Sequence, residues 1–255
     1  MATFIWSGSF GFALSDLDFS YLMYGYSYTR GSTLFSVNYD SRGYSRDEFR
    51  GTGFTYDVHG IPTGGTVKSY AAFNNGVKVG FVDGLNISVS SLVSAANTYS
   101  TSDDLKILKA AFAGNDRITG GQYGDKLEGF GGNDVLYGRA GADKLFGGAG
   151  ADTFVFKLTR DSTVSSGGRD TIYDFSATHN DRIDLRSIDA DTKISGDQAF
   201  SFIGKTTFHK KPGELRYDVK TGGVLVYGDV NGDGNADFSI FIKGVAALSK
   251  GYFYL

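Results

Sequence analysis

The chain contains no cysteine, which excludes disulfides and thiol chemistry and leaves the redox compartment open. Proline is almost as scarce, with Pro 2 against Gly 37 in 255 residues. That imbalance argues against a disordered Pro/Gly linker and for many tight turns in which glycine supplies positive φ. Histidine occurs at three positions only (His59, His179, His209), and none belongs to an H-E-x-x-H, so a zinc-protease centre is missing. A G-x-S-x-G elbow, a Walker A loop and a complete G-x-G-x-x-G are missing too. No basic block stands out, which argues against a nucleic-acid partner. No apolar run approaches a membrane span. The opening "MATFIWSGSFGFALSDLDF" lacks a basic n-region and is broken by Ser, Gly and Asp, so no cleavable signal peptide is expected.

What is present is aspartate. Of 28 acidic residues only Glu48, Glu128 and Glu214 are glutamate; the other 25 are Asp, the residue of turns and calcium loops rather than helical surfaces. With Tyr 16 and Phe 21 the composition suits an all-β protein. The length allows one large domain or two to three small ones. "VKVGFV" alternates Val77, Val79 and Phe81 behind the hairpin signal Asn75-Gly76, and "LFSVNYD" alternates Phe35, Val37 and Tyr39. "TSDDLKILKAAFAG" predicts a short helix capped by Ser102, with Leu105, Leu108 and Phe112 on one face. After Phe156, "DTIYDF", "DRIDL", "ELRYDVKTGGVLVYGDV" and "ADFSIFIKG" predict further strands. The expected organisation is a β-rich N-terminal module over 1–110, a repeat region over 111–156 and a C-terminal segment over 157–255.

The repeat region keeps a strict period. Asp116, Asp125, Asp134, Asp143 and Asp152 are each nine residues apart. Two positions after each stands an apolar residue: Ile118, Leu127, Leu136, Leu145 and Phe154. Two positions before stand Gly114, Gly132, Gly141 and Gly150, with Tyr123 the exception. This is the nonapeptide G-G-x-G-x-D-x-U-x, itself the stock example of the calcium-binding parallel β-helix repeat of RTX proteins. A six-residue turn plus a three-residue strand makes half a coil, so 18 residues complete one. Asp116, Asp134 and Asp152 then form one column, and Asp125 and Asp143 the other. Carboxylates ~4.8 Å apart on stacked strands repel by ~3–4 kcal/mol at an effective dielectric near 20. A Ca²⁺ ion between each pair turns that repulsion into coordination and joins folding to metal binding. Counting on by 18 places Asp161 over Asp143 and Asp170 over Asp152, one further half-turn on each side.

From Gly120 to its end the chain resembles RTX proteins, and in particular the C-terminal domain of serralysin-type secreted metalloproteases. The resemblance is carried in order by "GGAGADTFVF", "DTIYDFSATHNDRIDL", "GDQAFSFIG", "GELRYD" and "GDVNGDGNADFSIFIKG". It implies a calcium-binding parallel β-roll with a β-sandwich-like cap. It also implies export by type I secretion machinery from a Gram-negative cell and folding outside it. In such repeats the five aspartates and the carbonyls of the glycine turns hold calcium. Tyr123, Phe130 and Arg139 replace consensus glycines here, and any positive φ at those positions would be strained. A chain exported unfolded gains from lacking cysteine, and a calcium-poor cytosol would keep the ladder unformed.

Two other constellations remain open. "DVNGDGNAD" places Asp229, Asn231 and Asp233 as in the first half of an EF-hand loop, with Asp237 at its end, but position twelve is Ile240 rather than Glu. The same residues suit a hairpin turn rich in Asx hydrogen bonds. His59, in "YDVHGIP" with Tyr56, Asp57 and Arg50 nearby, suits either a structural turn or a hydrolytic site. "FSVNYDSRGYS" is similar to the opening strand of secreted haemophores. The N-terminal module is therefore expected to bind an extracellular glycan, matrix or its own copy, with a carbohydrate-active or other hydrolytic enzyme and a haem or small-ligand carrier as alternatives.

Overall fold

A computed structural model describes all 255 residues, which pack as two compact units. The first comprises Met1–Gly8 and Ala13–Arg117, the second Ser9–Phe12 and Ile118–Leu255.

The first unit is an antiparallel sheet with helices. Its strands are β1 (Thr3–Trp6), β2 (Ser27–Arg30), β3 (Leu34–Asn38), β4 (Arg46–Tyr56), β5 (Pro62–Asn74) and β6 (Val77–Ser88), in the order β1-β6-β5-β4-β3-β2. The β5–β6 hairpin closes on Asn75 and Gly76, at φ 50 and 78, the pair of left-handed residues that a type I′ turn requires. One sheet face carries the cross-strand row Phe35–Phe49–Tyr70–Val82. Against the sheet pack α1 (Val89–Ala96) and α2 (Thr101–Ala111). Val89, Leu92, Ala95 and Ala96 fall on one stripe of α1 and are buried. The sequence pattern offers one helix; α1 lies in "VSSLVSAA", small and β-branched residues behind Ser88, which stands at the N-cap without a capping hydrogen bond from its side chain. The cap of α2 is Ser100 rather than Ser102: its hydroxyl accepts the Ser102 N–H at 3.3 Å.

The second unit begins as a coil. Strands β7 (Arg117–Thr119), β8 (Lys126–Glu128), β9 (Val135–Tyr137), β10 (Lys144–Phe146) and β11 (Thr153–Val155) alternate between two parallel sheets. Lys126 pairs with Lys144 and Val135 with Thr153, the 18-residue step that the repeat predicts. The central residue of each strand points inward, and Ile118, Leu127, Leu136, Leu145 and Phe154 are no more than 1 % exposed. Burying each such side chain contributes ~1.5–3 kcal/mol, so the apolar position is as necessary as the aspartate. At Gly150 (φ 124), an added Cβ would lie 2.1 Å from the Gly132 carbonyl oxygen of the coil below, which no side chain permits.

The coil does not end at Phe156. Strands β12 (Thr171–Ile172) and β13 (Arg182–Asp184) continue the two sheets in parallel on β10 and β11. The remaining strands are β14 (Ser201–Gly204), β15 (Glu214–Lys220), β16 (Gly223–Asp229), β17 (Phe238–Lys243) and β18 (Phe253–Tyr254). β15, β16 and β17 form an antiparallel meander, and β17 joins β12 in parallel while β18 joins β13. The cap thus extends both sheets of the roll and covers its last coil.

Candidate metal centre

The two inter-strand turns of each coil present aspartates to one another through a repeated hydrogen bond. The Asp125 N–H donates to Asp143 Oδ1 at 2.7 Å, and the Asp134 N–H to Asp152 Oδ1 at 2.9 Å. One coil on, the Asp143 N–H donates to Asp170 Oδ1 and the Asp152 N–H to Asp181 Oδ1, both at 2.9 Å. Each carboxylate therefore reaches back to the backbone of the aspartate on the coil before it. The two columns are Asp125–Asp143–Asp170 and Asp134–Asp152–Asp181.

This corrects the count beyond the repeat. Asp170 stands over Asp143 and not over Asp152, and Asp161 is not the next rung. The reason is an insertion between β11 and β12. Asp161 Oδ2 accepts the Lys157 and Leu158 N–H groups at 2.8 and 2.9 Å, closing a 3₁₀ turn at Thr159–Asp161. The loop that follows is fixed by Thr163 N–H to the Gly168 carbonyl at 2.7 Å. Asp161 still lies beside the column, taking a hydrogen bond from the Tyr137 hydroxyl.

At the start of the roll the preceding coil is replaced by chain from far upstream. The Phe12 N–H donates to Asp125 Oδ1 at 2.7 Å, and the Phe12 carbonyl accepts the Lys126 N–H at 2.7 Å. Asp116, in the first unit, is treated in the same way by Ala2: its Oδ1 accepts the Ala2 N–H, and the Ala2 carbonyl accepts the Arg117 N–H at 3.0 Å. Nothing in the repeat's spacing pointed to residues 2 and 12. Asp174 and Asp181 escaped notice as well, although the D-x-apolar signature recurs at Asp170-Thr171-Ile172 and Asp181-Arg182-Ile183 once the period of nine is relaxed. Asp174 accepts the Gly147 and Gly148 N–H groups, each at 2.9 Å.

The second oxygen of each carboxylate decides what the ladder can do. Oδ2 of Asp143, Asp152 and Asp170 is buried and has no hydrogen-bond partner. On Asp125 the Oδ2 accepts the Gly121 N–H at 2.6 Å, and backbone carbonyls come near Oδ2 of Asp125 and Asp134. The point where a Cβ on Gly120 would lie is 2.6 Å from both Asp125 Oδ2 and the Gly138 carbonyl oxygen. The corresponding point on Gly129 is 2.2 Å from Asp134 Oδ2 and 2.5 Å from the Gly147 carbonyl oxygen. A buried carboxylate oxygen with no donor must take up either a proton or a cation, and an oxygen-only donor set suits a hard cation such as Ca²⁺. Burial pushes Asp143 up to about 7 and Asp152 up to about 6. Asp170 is driven well above its ordinary value by burial and then by facing Asp143. Asp116, Asp125 and Asp181 are raised by burial too, each opposed by backbone N–H groups.

No point gathers three or more His, Cys, Asp or Glu side chains, so any ion here would take its remaining ligands from the backbone. Gly132, Gly141 and Gly150 have φ 107, 130 and 124, whereas Gly114 ahead of β7 is not left-handed. Phe130 and Arg139 adopt φ 66 and 68, the left-handed strain anticipated for a side chain at a glycine position, while Tyr123 escapes it.

The Asp229–Asp237 loop is built differently. Asp229 Oδ1 and Oδ2 accept the Gly232 and Gly234 N–H groups at 2.6 and 2.9 Å. Asp237 accepts the Val230 N–H at 2.7 Å and the Asn231 side-chain amide at 2.7 Å. Asn231 and Asp233 each cap the N–H two residues on, at 2.8 and 2.7 Å. The loop satisfies its own carboxylates as a chain of Asx turns, and Asp229, Asp233 and Asp237 do not converge. His59 lies exposed on the β4–β5 turn, where Asp57 Oδ1 accepts the His59 and Ile61 N–H groups at 2.9 and 2.8 Å.

Two parallel sheets of three-residue strands, joined by glycine turns and lined with columns of buried carboxylates, define a β-roll of the RTX class. The chain belongs to the peptidase M10 serralysin C-terminal family, whose description matches residues 70–253. That family binds calcium and comprises secreted proteins. No curated protein matches the chain significantly. Among solved structures it is similar to the AlgE6R3 subunit of the Azotobacter vinelandii mannuronan C5-epimerase, with 29% identity over 56% of this chain and 74% of that one, at a TM-score of 0.40. The AlgE6R2 subunit of the same enzyme is similar at 24% identity over 56% of this chain and 89% of that one, at a TM-score of 0.38. No helix is long and apolar enough to cross a membrane.

Proposed function

We propose that this protein is exported by type I secretion machinery, folds outside the cell on binding several Ca²⁺ ions, and uses the roll to carry its N-terminal unit. The observation that supports the ladder as the calcium site is the set of buried, donor-less Oδ2 atoms on Asp143, Asp152 and Asp170. Carboxylates of Asp125, Asp134, Asp143, Asp152, Asp170 and Asp181, with the carbonyls of the glycine turns, would hold the ions, and calcium would supply the positive charge the columns lack. A calcium-poor cytosol keeps such a ladder open. Extracellular modules bind calcium at ~0.1–1 mM, which closes it after export. Circular dichroism through a calcium titration of the whole chain tests the reading. Calcium is expected to restore a β spectrum that excess chelator removes, and equal folding in chelator refutes it.

For the N-terminal unit, extracellular binding is favoured by a set of exposed tyrosines. Tyr21, Tyr24, Tyr26 and Tyr99 are all solvent-facing, and the Tyr24 and Tyr99 hydroxyls meet each other. Amphipathic rings on a surface suit a glycan or matrix partner, which they can stack on and hydrogen-bond at once. The exposed, self-contained turn at His59 gives the hydrolytic alternative no support.

A further inference from the structure

The first unit holds an apolar cavity lined by two carboxylates, Asp18 and Asp47; Asp18 is engaged as the cap of the Phe19–Met23 turn, its Oδ1 accepting the Ser20 N–H at 2.8 Å. The cavity, about 80 Å³, lies between the sheet and the helices, bounded by Phe49, Val67 and Val82 below and by Leu92, Leu108 and Phe112 above. A second apolar space of about 40 Å³ shares Leu22, Phe49, Val67 and Leu92 with it. Together they approach the ~150 Å³ that admits a benzene ring. Asp47, on β4, lines the larger cavity. Its Oδ1 accepts the Tyr70 hydroxyl and its Oδ2 the Tyr39 hydroxyl, both at 2.7 Å.

Neither tyrosine neutralises the carboxylate, and Asp47 takes part in no ion pair, although Arg46 and Glu48 on either side of it pair with each other at 2.8 Å. The alternation of a strand explains this: residues 46 and 48 point to the opposite face. Each Asp47 oxygen keeps a lone pair beyond the one its phenol uses. An uncompensated anion beside an apolar space favours a ligand that brings a cation and a compact hydrocarbon body. A neutral or anionic ligand would desolvate the carboxylate with nothing in return.

We propose that this cavity is a binding site for a small hydrophobic amine, its ammonium donating to Asp47 and its body, about the size of a phenyl ring, lying between Phe49, Val67 and Leu108. The cavity shares Tyr21 with the tyrosine surface and has no residue in common with the calcium ladder, and it needs neither reading to be correct.

The test uses the whole calcium-loaded chain and three probes of one shape: phenethylamine, phenethyl alcohol and phenylacetate. Isothermal titration should find phenethylamine bound at least tenfold more tightly than the alcohol, and phenylacetate not bound at 10 mM. Asp47→Asn can accept one tyrosine hydroxyl through its oxygen and donate its NH₂ to the other, and should bring the amine down to the level of the alcohol. Val67→Phe fills the shared wall and should abolish binding of amine and alcohol alike while leaving Asp47 in place. Absence of phenethylamine binding at 10 mM, equal binding of amine and alcohol, or an Asp47→Asn variant that still prefers the amine would each overturn the proposal. Should Asp47→Asn fail to fold, the probe comparison on the unaltered chain and the Val67→Phe variant decide the matter.

Discussion

Replacing Asp143 by Asn should change the sign of its effect with calcium. The asparagine keeps an oxygen to accept the Asp125 N–H, so the coil-to-coil hydrogen bond survives. What is lost is a buried negative charge between Asp125 and Asp170. Without calcium that charge is a burden, because burial carries the Asp143 carboxyl from 3.8 to about 7. The folded chain then holds a proton that the unfolded chain releases between about pH 4 and pH 7, so the metal-free fold loses stability as the pH rises through that window. At ~1.4 kcal/mol per pH unit the full displacement corresponds to ~4 kcal/mol, shared with Asp170. Asp143→Asn should therefore stabilise the metal-free roll by ~2–4 kcal/mol at pH 7.5 and by little at pH 4. With 10 mM calcium and a dissociation constant near 1 mM, each ion contributes ~1.4 kcal/mol, and Asp143 faces a neighbour on both sides. The variant should then be less stable than the parent by ~1–3 kcal/mol. Urea unfolding followed by far-UV circular dichroism, in chelator and in calcium, reads both signs. A variant that shifts the midpoint in the same direction in both media refutes the reasoning.

Two further outcomes follow from the coil geometry. Arg139→Gly, and independently Phe130→Gly, should stabilise the calcium-loaded protein by ~1 kcal/mol by removing a side chain from a left-handed backbone position, and thermal unfolding would show a fall instead if the strain were absent. Asp181→Asn should lower the number of calcium ions bound, measured by equilibrium dialysis, whereas Asp161→Asn should leave that number unchanged and lower only thermal stability; the reverse pattern would restore the simple count of 18.

The repeat region was legible because two independent periodic requirements coincide in it. A carboxylate must recur to meet the coil above, and an apolar residue must recur two positions later to fill the interior, as Leu136 and Leu145 do. Where a single requirement remained, the reading slipped. Asp170-Thr171-Ile172 and Asp181-Arg182-Ile183 keep the local signature, but the 3₁₀ turn at Thr159–Asp161 and its loop destroy the period that identified their register. Helix α1 was missed because "VSSLVSAA" lacks charged first-turn residues, and its burial comes from the sheet rather than from propensity. The Asp47–Tyr39–Tyr70 cluster joins β4, β5 and the residue just after β3, and has no linear pattern at all. Sequence spacing reports contacts that recur along the chain, and this one occurs once.

The hydrogen bond that links successive aspartates has a direction. In both columns the N–H belongs to the earlier coil and the carboxylate to the later one. The roll is thus a polar stack with unlike ends. At one end Phe12 supplies the N–H that a missing coil would have given, and at the other β17 and β18 close the last coil. A stack whose units touch only their neighbours can nucleate at one place and propagate from coil to coil. The capped C-terminal end presents ready-made acceptors on Asp170 and Asp181, to which the preceding coil can bring its N–H groups. Growth begun there would run from the cap back toward β8, each coil meeting acceptors already in place, and would stop where Phe12 engages Asp125.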